Sequence, residues 1–297
     1  KLNTVLRVMN KRLLDMSLGF GVALVWGLGL VFAKAALEHF PPILLMAFRF
    51  AVTTGALVWF AKPIPGQYRT LLLISFISAT LQYSLTFTGL DGLDASATAL
   101  IIQLEIPFLV LIGALFLKET PGWRRWTGMG IAFYGVYHIA GEPRIANALW
   151  SVGLVIGGGL TWATGQAMVR NLKDISGLTV ASWVAIFACP QLFVMSALFE
   201  SGQISAIQSA GWVVWSAVAY LGLIMTALGY YMWYTLIRRA PVSEAAPYLL
   251  TLPLFSMLGG WFFLGEATST QTLLGGIIII SGVALIVFEP LKKFIDT

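Results

Sequence analysis

The sequence has few charged residues, and this scarcity excludes most classes of soluble protein. Charged residues make up 10% of its 297 positions, against roughly 25% in an ordinary soluble domain. The chain is also too apolar for a disordered segment or a nucleic-acid-binding domain, so we expect no nucleic-acid partner. Its mean hydropathy is +0.85, and 58% of its residues are hydrophobic. The remaining class is an all-α polytopic membrane protein embedded in a lipid bilayer.

Cysteine and histidine are equally scarce, which limits the chemistry available to the chain. Cys189 is the single cysteine, so no intramolecular disulfide can form. His39 and His138 lie far apart in the sequence, and they cannot build a His/Cys metal cluster. The sequence also lacks His-Glu-x-x-His and Gly-x-Ser-x-Gly motifs. We therefore expect no metal, no cofactor and no enzymatic activity.

Long apolar stretches dominate what the sequence does contain. A bilayer-spanning helix needs about 20 mostly apolar residues, and turn-forming residues separate the stretches that meet this length. All the connecting loops are short, so we expect no additional soluble domain. The sequence predicts ten transmembrane spans, at residues 13–37, 42–62, 69–90, 95–117, 124–141, 149–170, 178–200, 209–236, 243–264 and 270–289.

The basic residues predict the orientation of these spans. With the N-terminus in the cytoplasm, cytoplasmic segments hold 15 of the 18 lysines and arginines. Cytoplasmic loops of membrane proteins carry this excess of positive charge. We therefore expect both termini to be cytoplasmic, and we attribute most of the net charge of +5 to topology rather than to an anionic partner.

An internal repeat becomes visible when residues 81–136 are aligned with residues 228–283, an offset of 147. The spacing from Glu119 to Gly128 to Gly135 recurs from Glu266 to Gly275 to Gly282. Because the repeat unit has five helices, its second copy enters the membrane from the opposite side. The sequence thus predicts two inverted five-helix repeats, residues 1–141 and 142–297, around a central cavity. Such pairs typically alternate the access of one midplane site between the two sides.

Several motifs identify a family resemblance that covers nearly the whole chain. They are Phe48-Arg49-Phe50, then Leu117-Lys118-Glu119 before Trp126-x-Gly128, and Leu264-Gly265-Glu266 before Gly275. With these motifs the chain resembles the EamA family of the drug/metabolite transporter superfamily, and more narrowly the YddG-type aromatic amino acid exporters of bacterial inner membranes. The resemblance implies a basket in which spans one to four and six to nine surround the cavity, with spans five and ten outside. It also implies an amino acid as the small-molecule substrate.

Polar and aromatic side chains near mid-span are the candidate binding residues. Depth follows from a rise of about 1.5 Å per helical residue through a core about 30 Å thick. An amide beside an aromatic ring suits a zwitterion with a large apolar side chain. Amides that only bond between helices are the alternative interpretation. The predicted substrate-binding set is Trp26, Gln82, Tyr83, Gln103, Trp162, Gln166 and Tyr230.

Arg49 and Glu105 are opposite charges predicted to lie at one depth, so they are a candidate ion pair or coupling site. The pair can be purely structural. Alternatively, Arg49 meets a substrate carboxylate, or Glu105 carries a coupling proton. If the two residues pair, Glu105 stays ionised, and we expect facilitated export without obligatory proton antiport.

Prolines inside the spans are candidate hinges, because proline frees a backbone carbonyl and bends a helix. Pro107, Pro190 and Pro253 are the predicted hinges, and simple packing of bent helices is the alternative. Glu119 and Glu266 are interpreted as structural residues at helix ends.

Three transport functions fit this pattern to different degrees. The favoured one is export of aromatic or large apolar amino acids by alternating access. A carrier of phosphorylated metabolites would need several cavity-facing basic residues, and only Arg49 qualifies. An exporter of cationic drugs or other small metabolites that uses Glu105 remains the alternative. The sequence leaves the oligomeric state open, and a monomer is compatible with it.

Overall fold

The computed structural model describes residues 2–116, 120–170, 172, 175–239 and 247–287, and every regular element within these ranges is helical. The α-helices are α1 (Leu2–Leu37), α2 (Pro42–Leu57), α3 (Tyr68–Ser75), α4 (Gln82–Asp91), α5 (Ala95–Ile102), α6 (Glu105–Phe116), α7 (Trp123–Ala140), α8 (Pro143–Ala146), α9 (Leu149–Arg170), α10 (Gly177–Phe199), α11 (Gln203–Ser209), α12 (Trp212–Ala219), α13 (Gly229–Arg239), α14 (Leu252–Gly259) and α15 (Thr270–Val287). Together they form an all-helical polytopic membrane protein.

Nine helical segments within the described ranges are long and apolar enough to cross a bilayer. Each coincides with one of the predicted spans, with ends that differ by only a few residues. The segments are Leu13–Leu37, Pro42–Phe60, Tyr68–Asp91, Ala95–Phe116, Leu149–Val169, Gly177–Phe199, Trp212–Trp233, Pro247–Leu264 and Thr270–Val287.

The remaining predicted span, residues 124–141, forms helix α7, which is not among these nine segments. Arg124, Arg125 and His138 lower its mean hydropathy. The helix packs along α15 through glycines. A Cβ atom added to Gly128 would lie 2.6 Å from the carbonyl oxygen of Gly282.

The glycine contacts between α7 and α15 are reciprocal. A Cβ added to Gly135 would lie 2.8 Å from the carbonyl oxygen of Gly275. Residue numbers rise along one helix as they fall along the other, so the two helices run antiparallel. Only glycine permits backbones to approach this closely. The sequence repeat aligns Gly128 with Gly275 and Gly135 with Gly282. In the structure Gly128 contacts Gly282, and Gly135 contacts Gly275.

Two predicted spans are interrupted at their centres, at positions 147 residues apart. The fourth span breaks into a turn at Gln103 and Leu104, between α5 and α6. The ninth breaks at Leu250 and Thr251, just before α14. A proline follows each turn within three residues, Pro107 in α6 and Pro253 in α14. Proline has no N–H to continue the hydrogen-bond ladder, which accounts for an interruption at each site.

Pro190 behaves differently from the other two predicted hinge residues. Helix α10 runs unbroken from Gly177 to Phe199 with Pro190 inside it. The side chain of Pro190 is exposed on the surface of the bundle. The helix is therefore interrupted beside two of the three predicted hinges, and the third lies within a continuous helix.

Wide turns of π-helix occur in the third, eighth and ninth spans. The turn in the ninth span, Gly260–Leu264, is short and ends that span, whereas the other two lie within their spans. One runs from Phe76 to Leu81, between α3 and α4, and the other from Tyr220 to Leu228, between α12 and α13. Their last residues are again 147 positions apart. π-Helical turns are uncommon and frequently mark functional positions. No proline lies inside either segment, so no residue in the sequence marks them.

Carboxylates satisfy the first backbone N–H groups of two spanning helices. Glu200 accepts hydrogen bonds from the backbone of Ile43 at 2.6 Å and of Leu44 at 2.9 Å, at the start of α2. Glu266 accepts from the backbone of Ala95 at 2.8 Å and of Ser96 at 3.3 Å, at the start of α5. A negative group at a helix N-terminus is stabilising. Glu266 therefore has the structural role expected for it, and Glu119 lies outside the described residues.

Candidate functional site

Arg49 lies in the middle of α2 and is almost completely buried, with 2% of its surface exposed. Its Nε–H donates to the hydroxyl of Thr226 at 2.9 Å, and Nη2 donates to the hydroxyl of Tyr83 at 3.2 Å. Nη1 faces the sulfur of Met46 at 3.8 Å. A buried guanidinium is tolerated where hydrogen bonds compensate part of its lost hydration.

Aromatic rings surround the same guanidinium. Its central carbon lies 4.5 Å from the ring centroid of Tyr83, 5.7 Å from that of Phe87 and 5.9 Å from that of Phe50. Such rings attract a cation through their negative faces. We call this group the arginine cluster: Arg49, Phe50, Tyr83, Phe87 and Thr226.

The predicted ion pair between Arg49 and Glu105 is not formed. The donors of Arg49 go to Thr226 in the eighth span and Tyr83 in the third. Glu105 opens α6 after the turn in the fourth span, and its Cγ lies near Gly159 of α9. Similar depth is not sufficient for pairing, because rotation of the helices decides which side chains meet. Within the described ranges neither residue has an ion-pair partner.

Thr226 owes its role to the π-helical segment that contains it. Its hydroxyl donates at 2.8 Å to the carbonyl of Leu221, five residues earlier. The oxygen is therefore free to accept from Arg49. On the neighbouring turn, the hydroxyl of Thr53 contacts the carbonyls of Arg49 and Gly222 at 2.9 and 3.1 Å. These bonds fasten α2 against the π-segment.

Trp26 and Tyr230, both predicted to bind substrate, lie together. Their ring centroids are 5.7 Å apart in an edge-to-face arrangement. The indole N–H of Trp26 donates to the carbonyl of Met225 at 3.0 Å, one residue before Thr226. Both rings are half-buried. This aromatic pair thus adjoins the arginine cluster through the π-segment of the eighth span.

Gln82 and Tyr83 are adjacent in sequence but face different neighbours. The amide of Gln82 donates to the hydroxyl of Thr86 at 3.1 Å, as their i, i+4 spacing predicts. Both residues lie against Gly158 of α9. Tyr83 faces α2 and Arg49 instead. The side-chain oxygen of Gln82 is buried without a hydrogen-bond partner among the described residues.

The remaining predicted residues lie around the fourth and sixth spans. Gln103 is buried, and its amide donates to the carbonyl of Leu249 at 3.1 Å. Trp162 packs against a separate hydrophobic cluster that includes Phe108 and Ile279. Gln166 is half-buried four residues further along α9. The structure therefore joins Tyr83 to Arg49 and Trp26 to Tyr230, and it places Trp162 in a second cluster.

Sequence reasoning missed Thr226, Phe50 and Phe87 as members of the site. Thr226 carried a usable signal, because it is a hydroxyl near the middle of a predicted span. Phe50 belongs to the quoted Phe-Arg-Phe motif. Phe87 is one of 19 phenylalanines and carries no comparable signal.

Nine candidate spans in the described part of the chain and a buried arginine cluster near mid-span define a polytopic membrane protein with polar groups inside its helical bundle. Polar and ionisable groups at this depth are typical of proteins that move solutes. The chain belongs to the EamA-like transporter family, whose model matches residues 14–141 and again residues 149–288.

Three relatives whose names describe amino acid efflux or export are similar to this chain. A "Probable amino-acid metabolite efflux pump" of Escherichia coli (strain K12) is 23% identical, over 92% of this chain and 95% of the relative. A protein with the same name from Salmonella typhimurium is 27% identical over the same shares. A "Probable terminal-alkyne amino-acid exporter" of Streptantibioticus cattleyicolor is 29% identical, over 65% of this chain and 64% of the relative.

The fold also matches a protein of solved crystal structure. The TM-score is 0.64 at 17% sequence identity, and the match covers 95% of this chain and 99% of the other. At this identity the likeness concerns the fold alone.

Proposed function

We propose that this transporter exports amino acids, aromatic or otherwise large and apolar, across the bacterial inner membrane. The observation that carries the proposal is the aromatic pair Trp26 and Tyr230 beside the arginine cluster. Stacking rings suit an apolar side chain, whereas hydroxyls and amides suit the polar end of the same molecule. The names of three relatives, two efflux pumps and one exporter, favour an amino acid substrate.

The proposed site lies between two inverted five-helix repeats, residues 1–141 and 142–297. Three features at an offset of 147 support this architecture: the central turns of the fourth and ninth spans, the ends of the π-segments in the third and eighth spans, and the reciprocal glycine contacts of α7 and α15. With α7 counted as a spanning helix, an even number of ten spans puts both termini on one side, and the basic residues favour the cytoplasmic side. The two repeats would then expose one site alternately to each side.

The proposed cavity is lined by Trp26, Gln82, Tyr83, Gln103, Trp162, Gln166 and Tyr230. Export from cells tests this function. Cells that overproduce the protein are loaded with a phenylalanine-containing dipeptide, and the appearance of phenylalanine outside is followed. Faster efflux than in cells carrying the empty vector, lost in a Trp26→Ala variant of equal abundance, supports the proposal. Equal efflux in all three strains contradicts it.

Export of cationic solutes through Glu105 is a second candidate, because Arg49 does not neutralise this carboxylate. The expectation of transport without proton exchange depended on that ion pair and loses its support. Proteoliposomes with an internal pH dye separate the two functions. Proton movement driven by a lipophilic cation and abolished by Glu105→Gln favours the second. No response to the cation favours amino acid export.

A further inference from the structure

The arginine cluster contains a positive charge without a counter-charge. Arg49 is 2% exposed, and no carboxylate forms an ion pair with it within the described ranges. Its guanidinium carries five N–H groups, and its described acceptors are two hydroxyls and one thioether. A buried cation that is only partly hydrogen-bonded is costly unless an anion joins it.

Through its hydroxyl group, Tyr83 can couple the positive charge of Arg49 to a ligand. Its hydroxyl oxygen accepts from Arg49 at 3.2 Å, so its own hydrogen is available to an acceptor elsewhere. The ring is half-buried, in contrast to the buried guanidinium behind it. Phe87 is stacked on it at 5.7 Å, and Phe50 packs edge-on at 5.1 Å. The packing of Phe50 and Phe87 against the ring of Tyr83 fixes the direction in which its hydroxyl points.

We propose that Tyr83 and Arg49 form an anion subsite that recognises the carboxylate of the substrate. The Tyr83 hydroxyl donates the direct hydrogen bond, and the Arg49 guanidinium polarises and orients it while supplying the positive charge. Arg49 is thus a positioning residue. Thr226, held by Leu221, fixes the guanidinium from the opposite side. One guanidinium matches one carboxylate, whereas phosphate esters call for several basic groups.

The inference rests on the proposed function, but binding can test it separately. Purified protein is titrated with phenylalanine and with phenethylamine, which lacks only the carboxylate, and ligand affinity is measured by thermal stabilisation. We expect the wild type to prefer phenylalanine. Hydrogen bonds to charged groups contribute about tenfold or more in affinity, so Tyr83→Phe should lower this preference by about tenfold and leave phenethylamine binding unchanged.

Tyr220→Phe is the matched control. Like Tyr83→Phe, it removes a single tyrosine hydroxyl. The hydroxyl of Tyr220 lies in the eighth span and donates to the carbonyl of Val25 at 3.3 Å, so this variant should keep the wild-type preference. Arg49→Met should act like Tyr83→Phe, and Arg49→Lys should restore part of the preference. A Tyr83→Phe protein that keeps the full preference overturns the subsite, whether or not the arginine variants fold.

Different results would contradict the exporter proposal and the anion-subsite proposal. If the wild type binds 3-phenylpropionate through Tyr83 but neither binds nor transports amino acids, the exporter proposal is wrong and the anion subsite stands. If it transports phenylalanine with equal discrimination against phenethylamine before and after Tyr83→Phe, the exporter stands and the subsite is wrong.

Discussion

The side-chain amide of Gln103 donates a hydrogen bond to the backbone carbonyl of Leu249 at 3.1 Å, and this bond joins the two interrupted spans. Gln103 is the first residue of the turn between α5 and α6, and Leu249 directly precedes the corresponding turn before α14. A turn in the membrane leaves backbone groups that need partners. The turn of the fourth span thus supplies a partner for a backbone carbonyl beside the turn of the ninth.

Gln103→Leu should destabilise the protein by about 1 kcal/mol and slow transport, because the Leu249 carbonyl loses its partner inside the bundle. Thermal unfolding in detergent and transport rate measure the two effects. Gln271→Leu is the control: it removes a similar bond, 2.9 Å to the carbonyl of His138, at the contact of α7 and α15. Equal slowing in both variants would contradict a special role of the central turns.

Gly128→Ala should destabilise the packing of α7 on α15. The added methyl group would lie 2.6 Å from the carbonyl oxygen of Gly282, so the helices must separate. Such overpacking costs about 1–3 kcal/mol. Gly130→Ala, on the same helix with open space around its Cβ position, should leave the melting temperature unchanged or raise it. If the two variants have the same melting curve, the close contact between Gly128 and Gly282 is wrong.

Trp162→Ala should reduce transport by about tenfold without loss of protein, because it removes a ring proposed to line the cavity and stack on the substrate. Trp150→Ala changes the same residue type on the same helix, at a position that is 78% exposed, and should transport normally. Initial rates at equal protein content give the comparison. Normal transport by Trp162→Ala would remove this residue from the site.

The sequence predicted the membrane class and the spans well, because about 20 apolar residues leave few alternatives in a bilayer. It did not predict the partner of Arg49. The second span is apolar on most of its faces, so no amphipathic pattern indicates its rotation, and Thr226 could not be chosen over Glu105. The π-segments of the third and eighth spans were not predicted for a related reason, since no proline or glycine pair marks where either one begins. The glycine pair Gly259-Gly260 does stand at the start of the π-turn in the ninth span.

Labelling of introduced cysteines tests the topology. In a Cys189→Ala background, Ser201→Cys should react with a membrane-impermeant maleimide added to intact spheroplasts, because residue 201 is an exposed position on the proposed outer side. Lys62→Cys, equally exposed on the proposed cytoplasmic side, should react only after permeabilisation. The reverse pattern would invert the orientation.

Transport by the purified protein in liposomes tests the export of amino acids most directly. Liposomes loaded with unlabelled phenylalanine are diluted into a panel of labelled amino acids, with and without a pH gradient. We expect exchange of labelled phenylalanine, tryptophan and leucine well above protein-free liposomes, with little exchange of aspartate or lysine. Exchange of no amino acid in the panel, by protein that is folded by its melting curve, would contradict the account.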